Sequence, residues 1–387
     1  MRILQKIGFT GIIIFLLFIK TIVFATDNTV DSIIENQKEK LNLSDIMKQA
    51  EKYTEDTFED INFNNLLSDT IKGKINKSTL YKSLPKLFSK ELKEAIVSVF
   101  NILVIIVIHS ILKSISENLG NSSTGQIAYY VEYILLVSLL IQNFSEIISV
   151  TRESIQHLTD FLHALFPILL TLMLTTGNFV TSNVVQITLL VMINFIGTFF
   201  TKFVLPVISI SIVLSVISNF SDKVQIEKLA KFLKSATVWV IGIILTIFVC
   251  TLGLEGTITS GVDGLTAKTT KAAVSNFIPV VGKVLGDSVD TVIGCASILK
   301  NAIGIFGVII VIGIVLKPII KLLLMFLTYY IASAFCEVVA DKKIVGLLSN
   351  ISDIFKLLLA ILCSISVMVI IGITIVLKIT NSSLMYR

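Results

Sequence analysis

The chain has 387 residues, of which 54% are hydrophobic and only 15% are charged. A mean hydropathy of +0.89 excludes an ordinary soluble globular protein and predicts an all-α, polytopic integral membrane protein. The formal net charge of +5 is spread through loops and tails, so it gives no support to nucleic-acid binding. The four cysteines form no CxxC pair, so neither a zinc site nor a disulfide framework is indicated.

The first 25 residues have the pattern of a signal peptide. Arg2 and Lys6 make a basic start, residues 7–19 form an apolar core, and a small-residue cleavage site ends at Ala25. The core is too short for a comfortable membrane span, which favours cleavage over a retained anchor. Either outcome places Thr26 outside the cytoplasm.

Residues 26–94 form the hydrophilic block of the chain. Acidic residues dominate it as far as Asp60, and lysines dominate it afterwards. Apolar spacing around Ile46 and Leu84 predicts short amphipathic helices, so we expect an extracytoplasmic, helical and partly flexible domain. The basic second half opposes the positive-inside tendency, but long segments translocate largely regardless of their charge.

Residues 95–387 are predicted to form a multi-span, permease-like membrane domain. Crossing the ~30 Å hydrocarbon core of a bilayer takes roughly 20 apolar helical residues. The runs that approach or exceed this length are 95–112, 127–144, 161–180, 183–201, 203–220, 236–254, 301–316, 322–336 and 357–377. Lys202 alone separates the fourth and fifth runs, which predicts a tight hairpin or one bent pair. We therefore expect eight or nine spans after the signal peptide, and nine would place Arg387 in the cytoplasm.

A group of lysines follows the fifth predicted span. Lys223, Lys228, Lys231 and Lys234 make the clearest basic loop of the chain, and the orientation set by the signal peptide puts it in the cytoplasm. We expect these lysines to contact anionic lipid or an ATPase partner. The alternative is that they only set the orientation of the neighbouring spans.

The stretch 277–304 combines Pro, Gly, Lys and Asp within a mostly apolar sequence. Its candidate pathway or helix-packing residues are Pro279, Gly282, Lys283, Gly286, Asp287, Asp290 and Gly294. On a helix, the charged residues and the last glycine share one face, and the first two glycines form a small-xxx-small pair. The charges either line a pathway or protein-filled seam, or they face water from an amphipathic helix on the membrane surface. Whether 277–299 crosses, re-enters or lies flat stays open.

Motifs that carry enzymatic chemistry are absent from the sequence. It has no GxxxxGK[ST], HExxH or GxSxG pattern, and its three histidines lack metal-ligand spacing. Asp287 and Asp290 lie three residues apart, which fits poorly with a protease that needs aspartates on two facing helices. The expectation is a non-enzymatic protein without a metal or cofactor.

Several runs of the C-terminal two-thirds resemble one family. The central matches are AVSNFIPVVG at 273–282, Asp287, DTVIG at 290–294 and LKNAIG at 299–304. Further matches are SNFSD at 218–222, EKLAK at 227–231 and GVDG at 261–264. Over about residues 160–380 the chain resembles the stage III sporulation protein AE family of endospore-forming bacteria. Residues 26–94 have no match in this resemblance.

The resemblance implies a permease-like subunit of the channel or secretion complex that joins mother cell and forespore. It implies a location in the mother-cell membrane and a requirement for late forespore development. Implied partners are the other stage III sporulation A-operon proteins, including a secretion-type ATPase, together with membrane lipids and a second copy of the chain. Two alternatives remain: a stand-alone secondary transporter in which Lys283, Asp287 and Asp290 bind a coupling ion or solute, and a passive scaffold.

Overall fold

The computed structural model describes residues 41, 43–58, 61–74, 77–118, 122–220, 226–277, 281–338, 340 and 342–385. In these ranges the chain is helical and contains no β-strand. The helices are α1 (Ser44–Thr54), α2 (Phe63–Ile71), α3 (Lys77–Asn118), α4 (Ser122–Thr175), α5 (Phe179–Phe199), α6 (Leu205–Phe220), α7 (Glu227–Phe277), α8 (Val281–Cys336) and α9 (Lys342–Met385). The predicted signal peptide, residues 1–25, lies outside the described residues.

Helix α8 is the central element of the bundle. It packs against α9, α4, α3, α2, α7 and α1. It runs antiparallel to α9, since the rings of Tyr329 and Phe355 pack with centroids 5.1 Å apart while Gly304 lies against Leu377. Most buried side chains of both helices are aliphatic or aromatic, so this pair contributes a large part of the hydrophobic core.

The structure describes five segments that are long and apolar enough to cross a membrane. They are Tyr133–Thr175, Phe179–Ser218, Glu227–Thr251, Ile293–Cys336 and Lys342–Lys378. The expected eight or nine separate spans are not confirmed, because in two cases a pair of neighbouring predicted runs lies within one continuous helical segment. Runs 301–316 and 322–336 both lie in α8, and Pro318 does not end that helix. Runs 183–201 and 203–220 are joined through a π-helix, Phe200–Val204, so the tight hairpin is wrong.

The predicted span 161–180 is also wrong at its C-terminal end. Helix α4 ends at Thr175, and Gly177 adopts a φ of 81°, the left-handed conformation that glycine reaches without steric cost. Hydropathy cannot register this turn, because the residues on both sides of it are apolar.

Helices α4 and α8 are too long for a single bilayer to cover. The 44 residues of Ile293–Cys336 span about 66 Å at 1.5 Å per residue, more than twice the ~30 Å hydrocarbon core. Both helices carry charged residues within their apolar length, and these residues contact one another. Two contacts show that the helices run antiparallel. Lys321 of α8 contacts Glu146 of α4, whereas Gly307 lies against Leu165.

Helices α3 and α4 expose many large apolar side chains, while a few polar side chains lie on their inner side. Their exposed large apolar residues include Ile96, Phe100, Val104, Val107 and Ile111 on α3, and Ile127, Val131, Ile134 and Ile141 on α4. Ser98 and Asn143 bond to one another on the inner side. A large exposed apolar surface is typical of a protein that faces lipid.

Candidate polar cleft and charged junction

Helix α1 is held on α8 by packing and by one ion pair. A Cβ added at Gly313 of α8 would collide with Phe58 and with Thr54, so the glycine allows the two elements to approach closely. One turn further along α8, Lys317 Nζ donates a 2.6 Å hydrogen bond to Asp56 Oδ2. The hydrophilic N-terminal block therefore contacts α8 at mid-length.

The same helix also contacts α4. The ring of Tyr53 stacks on His157 with centroids 4.3 Å apart, and its hydroxyl donates a 3.4 Å hydrogen bond to Asp160 Oδ2. Burial raises the pKa of Tyr53, and the negative charge of Asp160 raises it further. Helix α1 is thus fixed to two of the long helices at once.

A group of charged side chains lies where α1, α3, α4 and α8 meet. Lys321 Nζ donates to Glu146 Oε1 at 2.5 Å and to Glu94 Oε2 at 3.5 Å, and only 13% of its side chain is exposed. Glu91 lies one helical turn before Glu94 on the same face of α3. We call this group the charged junction; its members are Asp56, Glu91, Glu94, Glu146, Lys317 and Lys321.

Two carboxyl groups of the junction, those of Asp56 and Glu91, have opposite environments. The hydrogen bond from Lys317 lowers the pKa of Asp56, whose side chain is largely exposed. Burial raises the pKa of Glu91, which is only 3% exposed, although the charge of Lys321 acts in the opposite direction. Within the described part of the chain, Glu91 Oε2 has no hydrogen-bond partner.

A polar cleft of about 260 Å³ extends from the junction between α3, α4 and α8. Its lining residues are Glu94, Val97, Ser98, Asn101, Ile102, Leu139, Gln142, Asn143, Glu146, Lys321 and Met325. At its inner side Asn143 Nδ2 donates to Ser98 Oγ at 3.0 Å and lies 2.6 Å from Tyr329 Oη. The cleft therefore offers carboxylate, amide and hydroxyl groups to a polar solute. No group of three His, Cys, Asp or Glu residues suited to a metal ion occurs in the described ranges.

The stretch singled out in the sequence lies at the start of α8. The helix begins at Val281 and continues without interruption, so Gly282, Lys283, Gly286, Asp287, Asp290 and Gly294 lie on one helix. Pro279 lies outside the described residues, as do the side-chain surroundings of 281–292. Gly294 is exposed, and an added Cβ there would meet nothing within 4 Å. The charged junction lies elsewhere on the same helix.

The predicted basic loop is largely helical. Lys223 lies outside the described residues, while Lys228, Lys231 and Lys234 lie on the first turns of α7. Lys231 Nζ forms an exposed ion pair with Glu227 at 2.5 Å. Lys234 Nζ donates to the carbonyl oxygen of Asn350 at 3.2 Å, so it binds α7 to α9 rather than facing outward. Of the lysines that the structure describes in this group, Lys228 and Lys231 present an exposed basic surface.

Comparison with known proteins assigns the fold to a family. The family model described as Stage III sporulation protein AE matches residues 61–380. The chain is 30% identical over 286 residues to Stage III sporulation protein AE of Bacillus subtilis (strain 168). The aligned residues cover 74% of this chain and 72% of the relative. The chain belongs to the stage III sporulation protein AE family. No solved structure matches it significantly.

The family match extends further toward the N-terminus than the resemblance at 160–380 indicated. It begins at residue 61 and therefore includes α2, α3 and the whole polar cleft. Sequence reasoning missed Lys317 and Lys321, which look like breaks between two apolar runs. The available signal was their spacing of four residues, which puts both on one face of a helix.

Proposed function

We propose that the chain is a permease-like, non-enzymatic membrane subunit of the channel or secretion complex that joins mother cell and forespore and is needed for late forespore development. Membership of the stage III sporulation protein AE family supports the sporulation role. The polar cleft is the observation that supports a permease-like role, because polar groups inside an apolar helix bundle face a solute or another polar group.

The proposed pathway uses the cleft at mid-length of α8 and the charged start of the same helix. Lys283, Asp287 and Asp290 belong to this second part, with Gly282 and Gly286 as positions of close helix approach. Gly294, at which an added Cβ meets open space within the chain, is available to a partner helix or a second copy.

In this proposal the hydrophilic block, residues 26–94, lies outside the mother-cell cytoplasm. The signal-peptide pattern of residues 1–25 supports this orientation. Alkaline phosphatase fused after Lys90 should then be active, and the same enzyme fused within residues 223–234 should be inactive. The reverse pattern would overturn the orientation.

The proposed partners are the other proteins of the same sporulation complex, including a secretion-type ATPase. The exposed surface of Lys228 and Lys231 is the candidate cytoplasmic contact for that ATPase or for anionic lipid. Lys234 belongs to this candidate surface only in part, because it already binds Asn350.

Two experiments separate this function from the alternatives. Deleting the chain should abolish late forespore reporter expression, and the ATPase should co-purify with the chain from sporulating cells. A stand-alone secondary transporter, which the charged cleft also supports, would move a solute in vesicles without partners. A passive scaffold would support partner assembly even with the cleft blocked. Normal late forespore expression in the deletion strain would contradict the proposed function.

A further inference from the structure

Glu91 is the most deeply buried member of the charged junction. It is 3% exposed, and its Oε2 has no hydrogen-bond partner among the residues that the structure describes. Burial without a hydrogen bond at Oε2 disfavours the charged carboxylate relative to the protonated, neutral form.

Two of the neighbouring lysines, Lys321 and Lys317, already form ion pairs with other carboxylates. Lys321 lies 2.5 Å from Glu146, and Lys317 lies 2.6 Å from Asp56. Together with Lys90 on α3, the junction has four carboxyl groups and three ammonium groups, so ionisation of Glu91 would change the formal charge of this group from 0 to −1. Close carboxylates disfavour simultaneous ionisation.

We propose that Glu91, one helical turn before the cleft-lining Glu94, is a proton-binding group: it holds a proton in the folded protein and exchanges that proton with water. On binding, the carboxylate takes a proton from a hydronium ion and leaves a water molecule; release is the reverse reaction. The charged groups that face Glu91 are Lys90 and Glu94 on α3 and Lys317 and Lys321 on α8. Through these lysines Glu91 is also linked to Glu146 on α4 and to Asp56 in the turn that follows α1.

Proton release has a structural consequence. A charged Glu91 competes with Asp56 for Lys317 and with Glu146 for Lys321, and these pairs connect α8 to α1 and α4. Proton binding therefore favours the docked position of α1. The inference is independent of the proposed transport role, because proton binding is a property of the purified chain.

Infrared spectroscopy of the purified full-length protein tests the proposal. A protonated carboxyl group has a C=O stretching band that a carboxylate lacks. Wild-type protein should show this band above pH 4.3, about the ordinary pKa of glutamic acid. Glu91→Gln should lose one carboxyl's share of the band, whereas Glu153→Gln, at an exposed position on α4, should leave it unchanged.

Each outcome decides the question. Gln is a neutral isostere of the protonated side chain, so Glu91→Gln should fold as the wild type does. A band that is equal in Glu91→Gln and wild type would overturn the proposal, and so would a Glu91→Gln protein that fails to fold. The proposal would also be contradicted if Glu91 contributed no C=O band of a protonated carboxyl group and gave instead a carboxylate band that depends on sodium.

Discussion

Lys317 Nζ donates a 2.6 Å hydrogen bond to Asp56 Oδ2, joining two residues that are 261 positions apart in the chain. The pair connects the turn that follows α1, in the hydrophilic N-terminal block, to α8, the longest described helix of the bundle. This part of the block is therefore packed on the bundle at the charged junction.

Asp56→Asn should lower stability only slightly. The carboxylate is 68% exposed, and exposed ion pairs contribute about 0–1 kcal/mol. Because Lys317 lowers the pKa of Asp56, the contribution is fully present above the ordinary aspartate pKa of about 3.9. It is lost as the pH falls through the lower pKa of the folded state. Thermal unfolding across pH should thus show a small difference from wild type at neutral pH that vanishes in acid, while Glu55→Gln, at an exposed neighbour, shows none.

Gly313→Ala should destabilise the protein more than the loss of that ion pair. The new methyl group would collide with Phe58 and Thr54, and overpacking typically costs about 1–3 kcal/mol. Gly294→Ala is the matched control, because its methyl group meets open space and alanine is favoured in a helix by about 0.5–1 kcal/mol. Thermal unfolding of both purified variants measures the difference. Equal effects at the two positions would contradict the docking of α1 on α8.

The helical class was predictable from sequence, but the helix count was not. Hydropathy treats Lys317, Pro318 and Lys321 as an interruption, yet the helix continues there, and both lysines form ion pairs with carboxylates on other elements. The partners lie far away in sequence, at Asp56 and Glu146, so no local pattern identifies them. The cleft was unpredictable for the same reason, since it exists only where three distant helices meet.

Changing Lys228 and Lys231 together to Glu should weaken binding of a cytoplasmic partner or of anionic lipid. Both lysines are exposed, and charge reversal replaces attraction by repulsion. Lys234→Glu serves as a contrast, because it removes the hydrogen bond to the carbonyl oxygen of Asn350 and should therefore lower thermal stability. Co-purification of partners measures the first effect and thermal unfolding the second. Normal co-purification with the double variant would refute the contact.

Gly286→Leu and Asp290→Asn should each impair sporulation if the start of α8 lines a pathway or a helix seam. A charge in the membrane interior costs about 2.5 kcal/mol or more and needs compensation there, whereas surface charges and lipid-facing glycines tolerate replacement. Asp263→Asn, in a glycine-rich part of the sequence, is the comparison variant and should have the milder effect. Heat-resistant spore counts at equal protein levels measure this, and near-normal counts from both variants would favour the surface-helix alternative.

If the polar cleft serves the sporulation function, a chain whose cleft is made apolar should fail in sporulation. Asn101 and Gln142 line it, and changing both to Leu keeps the side-chain size while removing the polar groups. Gln186→Leu, at an exposed position on α5 outside the cleft, is the matched control. In a sporulating strain that depends on this chain, the double variant should reduce heat-resistant spore counts by at least an order of magnitude at unchanged protein level, and the control should not. Wild-type counts from the double variant would contradict the claim.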